Sequence, residues 1–407
     1  MRYETFIGLR YLKARSGLVF SVGGVAVGIA TVVVALSVMN GWESMIRDKM
    51  LSSEGHIFVS GNLNTYWTMM QRIQKIDGVD AAAPVLVKYI ALLNKDGSQQ
   101  VGAMLKAIDP ELQTRVTNIG DYVSGKLSFE SPLIELAKNS TEDTIFGGII
   151  LGKGLATKLQ VSKGDIVRLI SRLVEMPGGL QPVIRTFVVV DIYDSGMYSY
   201  DSVLAFISLE ASQELYNLTD SINRIEIKIK DIYKAEEIRE KIQMDLGLLV
   251  NTMTWMEAHK TLFDAIRLEK IVTFIIEALI IFVATFNIAS TLIMMVMEKT
   301  KEIGILKSMG ATKRNIWFIF TFEGTLIGVV GAIIGTLLGL FLCWSLRTWL
   351  PIPIPSTVYQ IDRLPAEISW PFVGFVNVAS LVLCWLATLY PAWRASRLKP
   401  VEALRYE

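Results

Sequence analysis

The sequence predicts an α-helical membrane protein with four transmembrane helices and an inserted α+β extracytoplasmic domain. Hydrophobic residues make up 52% of the 407 positions, and charged residues still make up 19%. Four apolar runs are close to or above the roughly 20 residues that cross a hydrocarbon core; they fall at 18–41, 271–297, 316–346 and 371–389. A long polar stretch follows the first run. We therefore divide the chain into a surface helix with the first span (1–44), the inserted domain (45–265), and a segment with the other three spans (266–407).

The N-terminal segment sets basic residues among apolar ones. Arg2, Arg10, Lys13 and Arg15 are interleaved with aromatic and aliphatic side chains, a pattern typical of a helix lying on a membrane surface. The apolar run that follows is too long for a signal peptide, and no small-residue cleavage site comes after it. We expect a retained first span.

The inserted domain mixes two kinds of pattern. Alternating runs typical of strands are HIFVSG, KYIALL, DIVRLIS, RTFVVVDIY, SVLAFIS and RIEIKIK. Helical patterns lie among them in TYWTMMQRIQKI, LGKGLATKLQ, LEASQELYNL and YKAEEIREKIQ. Residues 95–97 (KDG) are expected to form a hairpin turn. The order of patterns between 152 and 218 suggests two subdomains without fixing their boundary.

An amphipathic stretch, 254–270, leads into the second apolar run. A short charged segment, 298–315, joins the second apolar run to the third. Ile303, Ile305, Leu306 and Met309 give this segment an apolar stripe at helical spacing, and the following glycine is placed to end the helix. A short helix pinned between two spans is suited to dock another protein. The alternative is that its stripe rests on lipid.

Two features mark the spans themselves. A stripe of small residues at spacings of three to four favours close helix packing and is compatible with sliding; its members are Gly324, Gly328, Gly331, Gly335 and Gly339. Glu277 is an ionisable group inside the second span, which makes it a functional candidate. It could line a polar path or meet Thr31, or it could stay protonated near the outer interface. Glu323 is expected at the inner interface.

The distribution of basic residues predicts the orientation. Lys and Arg number four in residues 2–16, five in 298–315 and four after Tyr390, against two in 347–370. Both termini are therefore expected in the cytoplasm, and the inserted domain on the far side of the membrane. Trp349 and Trp370 fit an aromatic belt on that far side.

The sequence shows no pattern typical of catalysis. GKGLATK lacks the GK[ST] ending of a phosphate-binding loop, and the two histidines, His56 and His259, lie outside any HExxH motif. Cys343 and Cys384 fall in predicted spans, where we expect apolar packing and no disulfide. The net charge of +1 gives no support for a nucleic-acid partner. We expect a non-catalytic chain with no cofactor of its own, whose nucleotide chemistry comes from a partner.

Four stretches resemble the FtsX-like permease superfamily, the non-ATPase subunits of one class of ABC transporters. They are LSVMNGWE (36–43), RLEK with VATFNIASTL (267–292), VMEKTKEIGILKSMGATKRNIWFIF (296–320) and LYPAWRASRLKPVEALRYE (389–407). Within the superfamily, the chain is most similar to the lipoprotein-releasing (Lol) system permeases, whose extracytoplasmic domain is a MacB-like core. The stretches bracket nearly the whole chain, in order.

The resemblance implies a permease that extracts outer-membrane-directed lipoproteins from the bacterial inner membrane and passes them to a periplasmic carrier. It implies a second permease subunit, either a paralogue or the same chain, and two copies of an ATPase that bind ATP and Mg. Triacylated lipoproteins and membrane lipid are the other implied partners.

The resemblance also implies positions for two sites. The ATPase would contact the short helix of the charged segment, at Glu302, Ile303, Gly304, Ile305, Leu306 and Met309. Lipid chains would enter between the outer halves of the first two spans, at Val38, Met39, Trp42, Ile271, Phe274, Ile275 and Ala278. Packing between the two helices would explain the same apolar residues.

A loop in the inserted domain is the third implied site. SRLVEMPGGLQPVIR lies between two predicted strands, and in one branch of the Lol permeases a loop at this place is a hook that captures the soluble carrier. The hook residues here would be Met176, Pro177, Leu180, Gln181 and Pro182, although they follow the hook pattern only loosely. The alternative is a plain hairpin loop in which Pro and Gly only set turns.

Two other functions stay open. An FtsX-like permease could transmit ATPase motion to a periplasmic cell-wall hydrolase without moving a substrate, and it would need neither a carrier hook nor an apolar cavity. A membrane enzyme would need a catalytic constellation.

Overall fold

The computed structural model describes residues 17–140, 144–176, 179–218, 221–349 and 365–398. In chain order the helices are α1 Gly17–Ser53, α2 Tyr66–Ile73, α3 Pro110–Val116, α4 Pro132–Ser140, α5 Lys153–Leu159, α6 Tyr198–Asp201, α7 Leu209–Tyr216, α8 Ala235–Leu246, α9 Trp255–Ala258, α10 Lys260–Glu298, α11 Thr300–Ser308, α12 Lys313–Thr348 and α13 Trp370–Ser396. The strands are β1 Ile57–Gly61, β2 Val79–Asn94, β3 Gln100–Ile108, β4 Ile145–Gly152, β5 Ile166–Met176, β6 Gly179–Tyr193, β7 Leu204–Ser208, β8 Arg224–Ile229 and β9 Val250–Thr254.

Four of these helices, α1, α10, α12 and α13, are long and apolar enough to cross a membrane. They contain the four apolar runs read from the sequence, but α1 and α10 continue past those runs, to Ser53 and back to Lys260. The amphipathic stretch that leads into α10 is divided at His259, whose backbone is not helical (φ −112°, ψ 31°). The surface helix expected for residues 2–16 lies outside the described residues.

The chain divides into two compact units. Among the described residues, the membrane unit comprises 17–45, 264–349 and 365–398, and the inserted unit comprises 46–263. The long helices belong to the membrane unit, except for the C-terminal end of α1 and the first residues of α10.

The strands of the inserted unit form one sheet, in the order β3-β7-β4-β6-β5-β2-β8-β1-β9, and β3 also pairs with β2. The extra pairing closes β2, β3, β7, β4, β6 and β5 into a ring, while β8, β1 and β9 continue from the first half of β2. One strand can serve both parts because β2 is long, with 79–85 paired to β8 and 85–93 paired to β3. The two subdomains suggested by the sequence therefore share a strand.

Local sequence sets several boundaries of the inserted unit. The turn expected at residues 95–97 joins β2 to β3, and Gly97 has φ +72°, in the region that glycine adopts readily. Asp109 and Ser208 cap α3 and α7, because their side chains accept hydrogen bonds from backbone N–H groups of the first turn. The capping box Thr254–Glu257 starts α9 directly after β9.

Six of the nine strands fall where alternation predicted them, and β3, β4 and β9 were missed. The sequence of β4, IFGGIILG, carries glycines that weaken a strand signal, and that of β9, VNTMT, is mostly polar. Their hydrogen-bonded neighbours in the sheet stabilise them.

The glycine stripe of α12 allows close packing on two sides of the membrane unit. A Cβ added to Gly324 would lie 2.2 Å from the Thr388 Cγ2 of α13, and one added to Gly335 would lie 2.5 Å from the Ala26 carbonyl oxygen of α1. Gly328 faces α13 in the same way, and Gly331 and Gly339 face α1. The stripe thus holds α12 against both helices, as small residues do between membrane helices.

Candidate functional site

Helix α11 is the short helix predicted between the second and third spans. The chain leaves the helical conformation at Lys299 and again at Gly310, which has φ +99°. Thr312 then caps α12 by accepting a hydrogen bond from the Asn315 N–H. The two breaks set α11 apart from the long helices on either side.

The apolar residues of α11 point in two directions. Ile303 is 1% exposed and packs with Leu306 against a cluster from α10, α12 and α13 that includes Phe320. Ile305 and Met309 are 45% and 80% exposed. Of the residues proposed for an ATPase contact, Ile305 and Met309 are therefore open, Glu302 and Leu306 are half-buried, and Ile303 and Gly304 are buried in their own chain.

Lys307 ties α11 to the end of the last long helix. Its Nζ donates hydrogen bonds of 2.6 Å to the carbonyl oxygens of Ser396 and Leu398. Burial, and to a lesser degree the charge of Lys313, lowers the pKa of Lys307. A cation is well placed here, because the last carbonyls of a helix are unpaired and carry partial negative charge. A movement of α11 would therefore be transmitted through Lys307 to the end of α13.

The residues proposed for lipid entrance lie on α1 and α10. Ile271, Phe274, Ile275 and Ala278 of α10 are all exposed. Val38, Met39 and Trp42 of α1 are half-buried. Next to both groups, Lys270 forms an ion pair with Glu43. The structure thus joins the C-terminal part of α1 to the N-terminal part of α10 through a charged contact that the sequence did not predict.

Glu277 of α10 and Glu323 of α12 are both buried. Glu277 is 5% exposed, and its Oε1 accepts no hydrogen bond from the described residues. Thr31, considered as its partner, instead donates to the Val27 carbonyl oxygen of its own helix. Glu323, expected at an interface, is fully buried between Phe320 and Ile327 on the packed face of α12. Its expected position at the inner membrane interface stays a prediction, because burial does not give the depth of a residue in the membrane.

The stretch proposed as a carrier hook is the end of a long β-hairpin. β5 and β6 pair without interruption from Arg172 opposite Val183 outward to Met176 opposite Gly179, so Leu180, Gln181 and Pro182 lie in a strand and not in a loop. β2 pairs with β5 only up to Ile170, and β4 pairs with β6 only from Thr186. Residues 171–176 and 179–185 therefore form a two-stranded arm that pairs with no third strand among the described residues, and Gln181 and Pro182 in this arm are exposed. Pro177 lies outside the described residues.

Sequence reasoning missed a polar cluster within the inserted unit. The Nε2 atom of His259 lies 2.9 Å from a carboxylate oxygen of Glu54 and 3.4 Å from the hydroxyl of Tyr200. Burial would raise the pKa of Glu54, but the hydrogen bond to His259 and the charge of Lys106 outweigh it and hold that pKa below its usual value. The cluster joins the residue after α1 to the break before α10, 205 positions apart. It has no metal-binding character, and no group of three His, Cys, Asp or Glu side chains suited to a metal occurs among the described residues.

Comparison with known proteins decides the family. Residues 18–244 match the MacB-like periplasmic core domain, and residues 274–400 match the FtsX-like permease C-terminal family. The chain is also 31% identical to the lipoprotein-releasing system transmembrane protein LolC of Xylella fastidiosa (strain Temecula1), over 98% of each chain. The chain belongs to the family of lipoprotein-releasing system transmembrane proteins.

Both named types of this family are similar to the chain. LolC of Neisseria meningitidis serogroup B is 33% identical over 99% of each chain, and LolE of Haemophilus influenzae is 30% identical over 99% of each chain. The chain is therefore assigned to the lipoprotein-releasing family and not to one of its two types. As a member of this family it is a multi-pass protein of the inner membrane, and the inserted unit is its periplasmic domain.

Two polar contacts involve residues in the stretches that carried the family resemblance, although neither contact was predicted. Glu43 ends LSVMNGWE and Lys270 ends RLEK, both of which carried the resemblance. Lys307 lies inside the third stretch. Nothing in the sequence indicates which residue each of them contacts, because each partner lies on a different helix.

Proposed function

We propose that the chain is the permease subunit of an ABC transporter that extracts lipoproteins from the inner membrane and passes them to a periplasmic carrier. The observation that carries the proposal is the full-length similarity to lipoprotein-releasing system transmembrane proteins, at 30 to 33% identity to relatives of both types. The chain itself is a non-catalytic component, and a separate ATPase binds ATP and Mg.

The proposed arrangement follows from the four long helices and the distribution of basic residues. We expect both termini in the cytoplasm and the α+β domain in the periplasm, with domains at 1–44, 45–265 and 266–407. Two permease subunits, either two copies or this chain with a paralogue, assemble with two ATPase subunits. The exposed Trp349 and Trp370, 77% and 67% exposed, suit the outer belt of such an arrangement.

The substrate needs an apolar path. Each methylene group kept out of water contributes about 0.8 kcal/mol, so two or three acyl chains of about 15 carbons would cost roughly 25 to 35 kcal/mol in water. The exposed apolar face of α10 at Ile271, Phe274 and Ile275 offers such a path next to Val38 and Met39 of α1. We propose this face as the lipid entrance.

The ATPase is proposed to bind the exposed side of α11. Ile305 and Met309 are apolar and open on a helix flanked by two long apolar helices, and the half-buried Glu302 adds a charge next to them. Ile303 and Leu306 anchor the helix to α10, α12 and α13. Force applied at Ile305 and Met309 would thus reach three helices at once.

The β5–β6 arm is proposed to hold the carrier. The described part of this ribbon has no third strand, and Gln181 and Pro182, which lie near its end, are exposed. Pairing along the ribbon fixes its conformation before binding, which reduces the ordering cost.

The rival function, a permease-like regulator of a cell-wall hydrolase, is not favoured. The relatives that match over the full length are named for lipoprotein release.

The test is reconstitution of the chain with its co-purified ATPase in proteoliposomes that contain a triacylated lipoprotein. We expect ATP-dependent transfer of the lipoprotein to an added soluble carrier. Transfer should be absent when the phosphate-binding lysine of the ATPase is replaced. The same lipoprotein without its acyl chains should not need the complex in order to leave the membrane. An intact, ATP-hydrolysing complex that releases nothing, and that instead recruits a cell-wall hydrolase, would replace this function with the regulator.

A further inference from the structure

The exposed face of α13 changes character toward the C-terminal end of the helix. Val378, Val382 and Leu386 are all exposed. They follow one another at intervals of four residues, so they lie on one side of the helix. Tyr390 and Trp393 continue the same side and are exposed as well. An apolar face that ends in Tyr and Trp is typical of the boundary between the hydrocarbon and the lipid headgroups.

Two arginines complete this face at its C-terminal end. Arg394 and Arg397 are both exposed, and side chains three residues apart are neighbours on a helix surface. The guanidinium carbon of Arg397 lies 4.1 Å from the centroid of the Trp393 ring. The rings of Tyr390 and Trp393 are stacked, with centroids 6.5 Å apart. A cation over an aromatic face is attracted to it, so Arg397 is held next to the apolar part of the face.

Both guanidinium groups are available to a group outside the chain. Neither forms an ion pair within the part of the chain that the structure describes, and residues 389–398 contain no Asp or Glu. The carbonyl oxygens of Ser396 and Leu398, at the end of α13, accept hydrogen bonds from Lys307. The arginines are therefore not needed to cap the helix. A guanidinium has five N–H donors, and these remain open to a ligand.

We propose that this end of α13 binds an anionic phospholipid, with Arg394 and Arg397 on the phosphate of the headgroup and the acyl chains along Leu386 and Val382. The guanidinium fork donates two parallel N–H bonds to a phosphate group, which makes Arg the suited residue type. The chain is a protein of the inner membrane, so phospholipid is present along this face. The proposal rests on the proposed arrangement only for the leaflet, which is the cytoplasmic one.

The geometry distinguishes a binding site from the general attraction of basic residues to a membrane. That attraction depends on the number of charges near an anionic surface and not on their neighbours. At the end of α13, one guanidinium is held over a ring, and the apolar face begins directly beside it. Lys313 and Arg314 at the start of α12 are exposed too, and the described residues show no ring contact for them. They provide a control with the same charge.

The first experiment measures lipid bound to the full-length chain in detergent by native mass spectrometry. Phosphatidylglycerol and phosphatidylcholine with the same acyl chains are added at equal concentrations. We expect the chain to prefer phosphatidylglycerol, and R394Q/R397Q to weaken its binding by about tenfold through loss of charge-assisted hydrogen bonds. K313Q/R314Q removes the same charge and should keep the preference. Equal losses in the two double variants, or no preference in the original chain, would overturn the site.

The second experiment keeps the charge and changes the geometry. R394K/R397K retains two cations but lacks the planar fork, so its binding of phosphatidylglycerol should fall nearly as far as that of R394Q/R397Q. W393L removes the ring beside Arg397 and should weaken binding by about two- to fivefold. Equal unfolding temperatures of all variants without added lipid would show that each one folds. Full binding by R394K/R397K would mean that charge alone attracts the lipid, which would overturn the site.

A third measurement tests the alternative occupant, an acidic surface of the ATPase. We expect R394Q/R397Q to recover the ATPase with the purified permease at the original level. Loss of the ATPase together with unchanged binding of phosphatidylglycerol would assign this face to the ATPase and overturn the lipid site.

Failure of the site and failure of the proposed arrangement give different results, because binding in detergent does not depend on the leaflet. In a chain with Cys343 and Cys384 replaced by Ala, R397C should react with a membrane-impermeant maleimide in inverted inner-membrane vesicles and not in spheroplasts. The reverse labelling would overturn the proposed arrangement and the choice of leaflet. The preference of the original chain for phosphatidylglycerol in detergent would then still support the site itself.

Discussion

The two histidines of the chain have opposite environments in the periplasmic domain. His259 accepts or donates through Nε2 next to the carboxylate of Glu54, so it has a charged partner. His56 is 7% exposed, and its Nδ1 accepts a hydrogen bond from the Ile229 N–H at 3.2 Å. A nitrogen that accepts a hydrogen bond carries no proton, so His56 is the neutral form with its proton on Nε2. Burial, and then the charge of Lys228, lowers the pKa of His56 below its ordinary value.

The lowered pKa of His56 predicts a pH dependence of stability. The unfolded chain binds a proton at this residue below about pH 6.5, whereas the folded chain binds that proton only at a lower pH. The contribution of His56 is therefore complete above that pH and is lost as the pH falls from there through the folded pKa, with a slope of at most about 1.4 kcal/mol per pH unit. H56N keeps an acceptor for the Ile229 N–H but cannot titrate. Thermal unfolding of the full chain in detergent between pH 5 and pH 8 should show a shallower slope for H56N than for the original chain.

H259N serves as the control for the histidine prediction, because it replaces the other histidine of the chain and leaves His56 in place. The prediction concerns the slope of stability against pH, compared between H56N and the original chain. Contributions of the other groups are the same in both chains and therefore cancel. Equal slopes for H56N and the original chain would contradict the assignment of a neutral, resistant His56.

At the scale of elements, length and hydropathy were enough to predict the four long helices, because both are local properties. The faces of α11 were not predictable in the same way. Ile303 and Ile305 were placed in one stripe, but residues two apart lie about 200° around a helix from each other. The structure accordingly buries Ile303 and exposes Ile305. Which of them faces the membrane unit depends on α10, α12 and α13, and this cannot be read from nine residues of α11.

The exposed side of α11 yields a prediction for ATPase binding. Replacing Ile305 and Met309 by Asp puts charge where an apolar partner surface is expected, and leaves the buried Ile303 in place. We expect ATPase recovered with the purified permease to fall at least tenfold, since a buried unpaired charge costs several kcal/mol. The double variant should still be recovered in the membrane at the original level.

Ser308 provides a matched control on the same helix. It is exposed, so S308D adds a negative charge to α11 outside the apolar pair. If I305D/M309D retains the ATPase as well as S308D does, the contact lies elsewhere on the cytoplasmic side.

At the scale of the whole molecule, three surfaces of one chain are proposed for three partners. The ATPase is proposed at α11, the lipid at the apolar faces of α1 and α10, and the carrier at the β5–β6 arm. The sequence resemblance implied each of these positions, but the carrier site was described as a loop, because Met-Pro-Gly-Gly is a typical turn signal. Strand pairing extends to Met176 and Gly179, so the residues that flank the expected turn belong to strands. Register depends on pairing between distant residues, and hydropathy of a single segment does not contain it.

The pairing register permits a precise test of the arm as the carrier site. Val174 pairs with Gln181, so replacing residues 175–180 by Asn-Gly would close a shorter arm with a two-residue turn suited to antiparallel strands. Because residues 171–185 have no third strand, the shortened chain keeps the hydrogen bonds of the closed ring. We expect at least a tenfold loss of carrier in a pull-down, with unchanged basal ATP hydrolysis and unchanged recovery of the ATPase. K95A/D96A at the exposed β2–β3 turn is the control, a change in another hairpin of the same domain that should not affect the carrier. Carrier capture that survives shortening would refute the arm and would assign carrier binding to the second permease subunit.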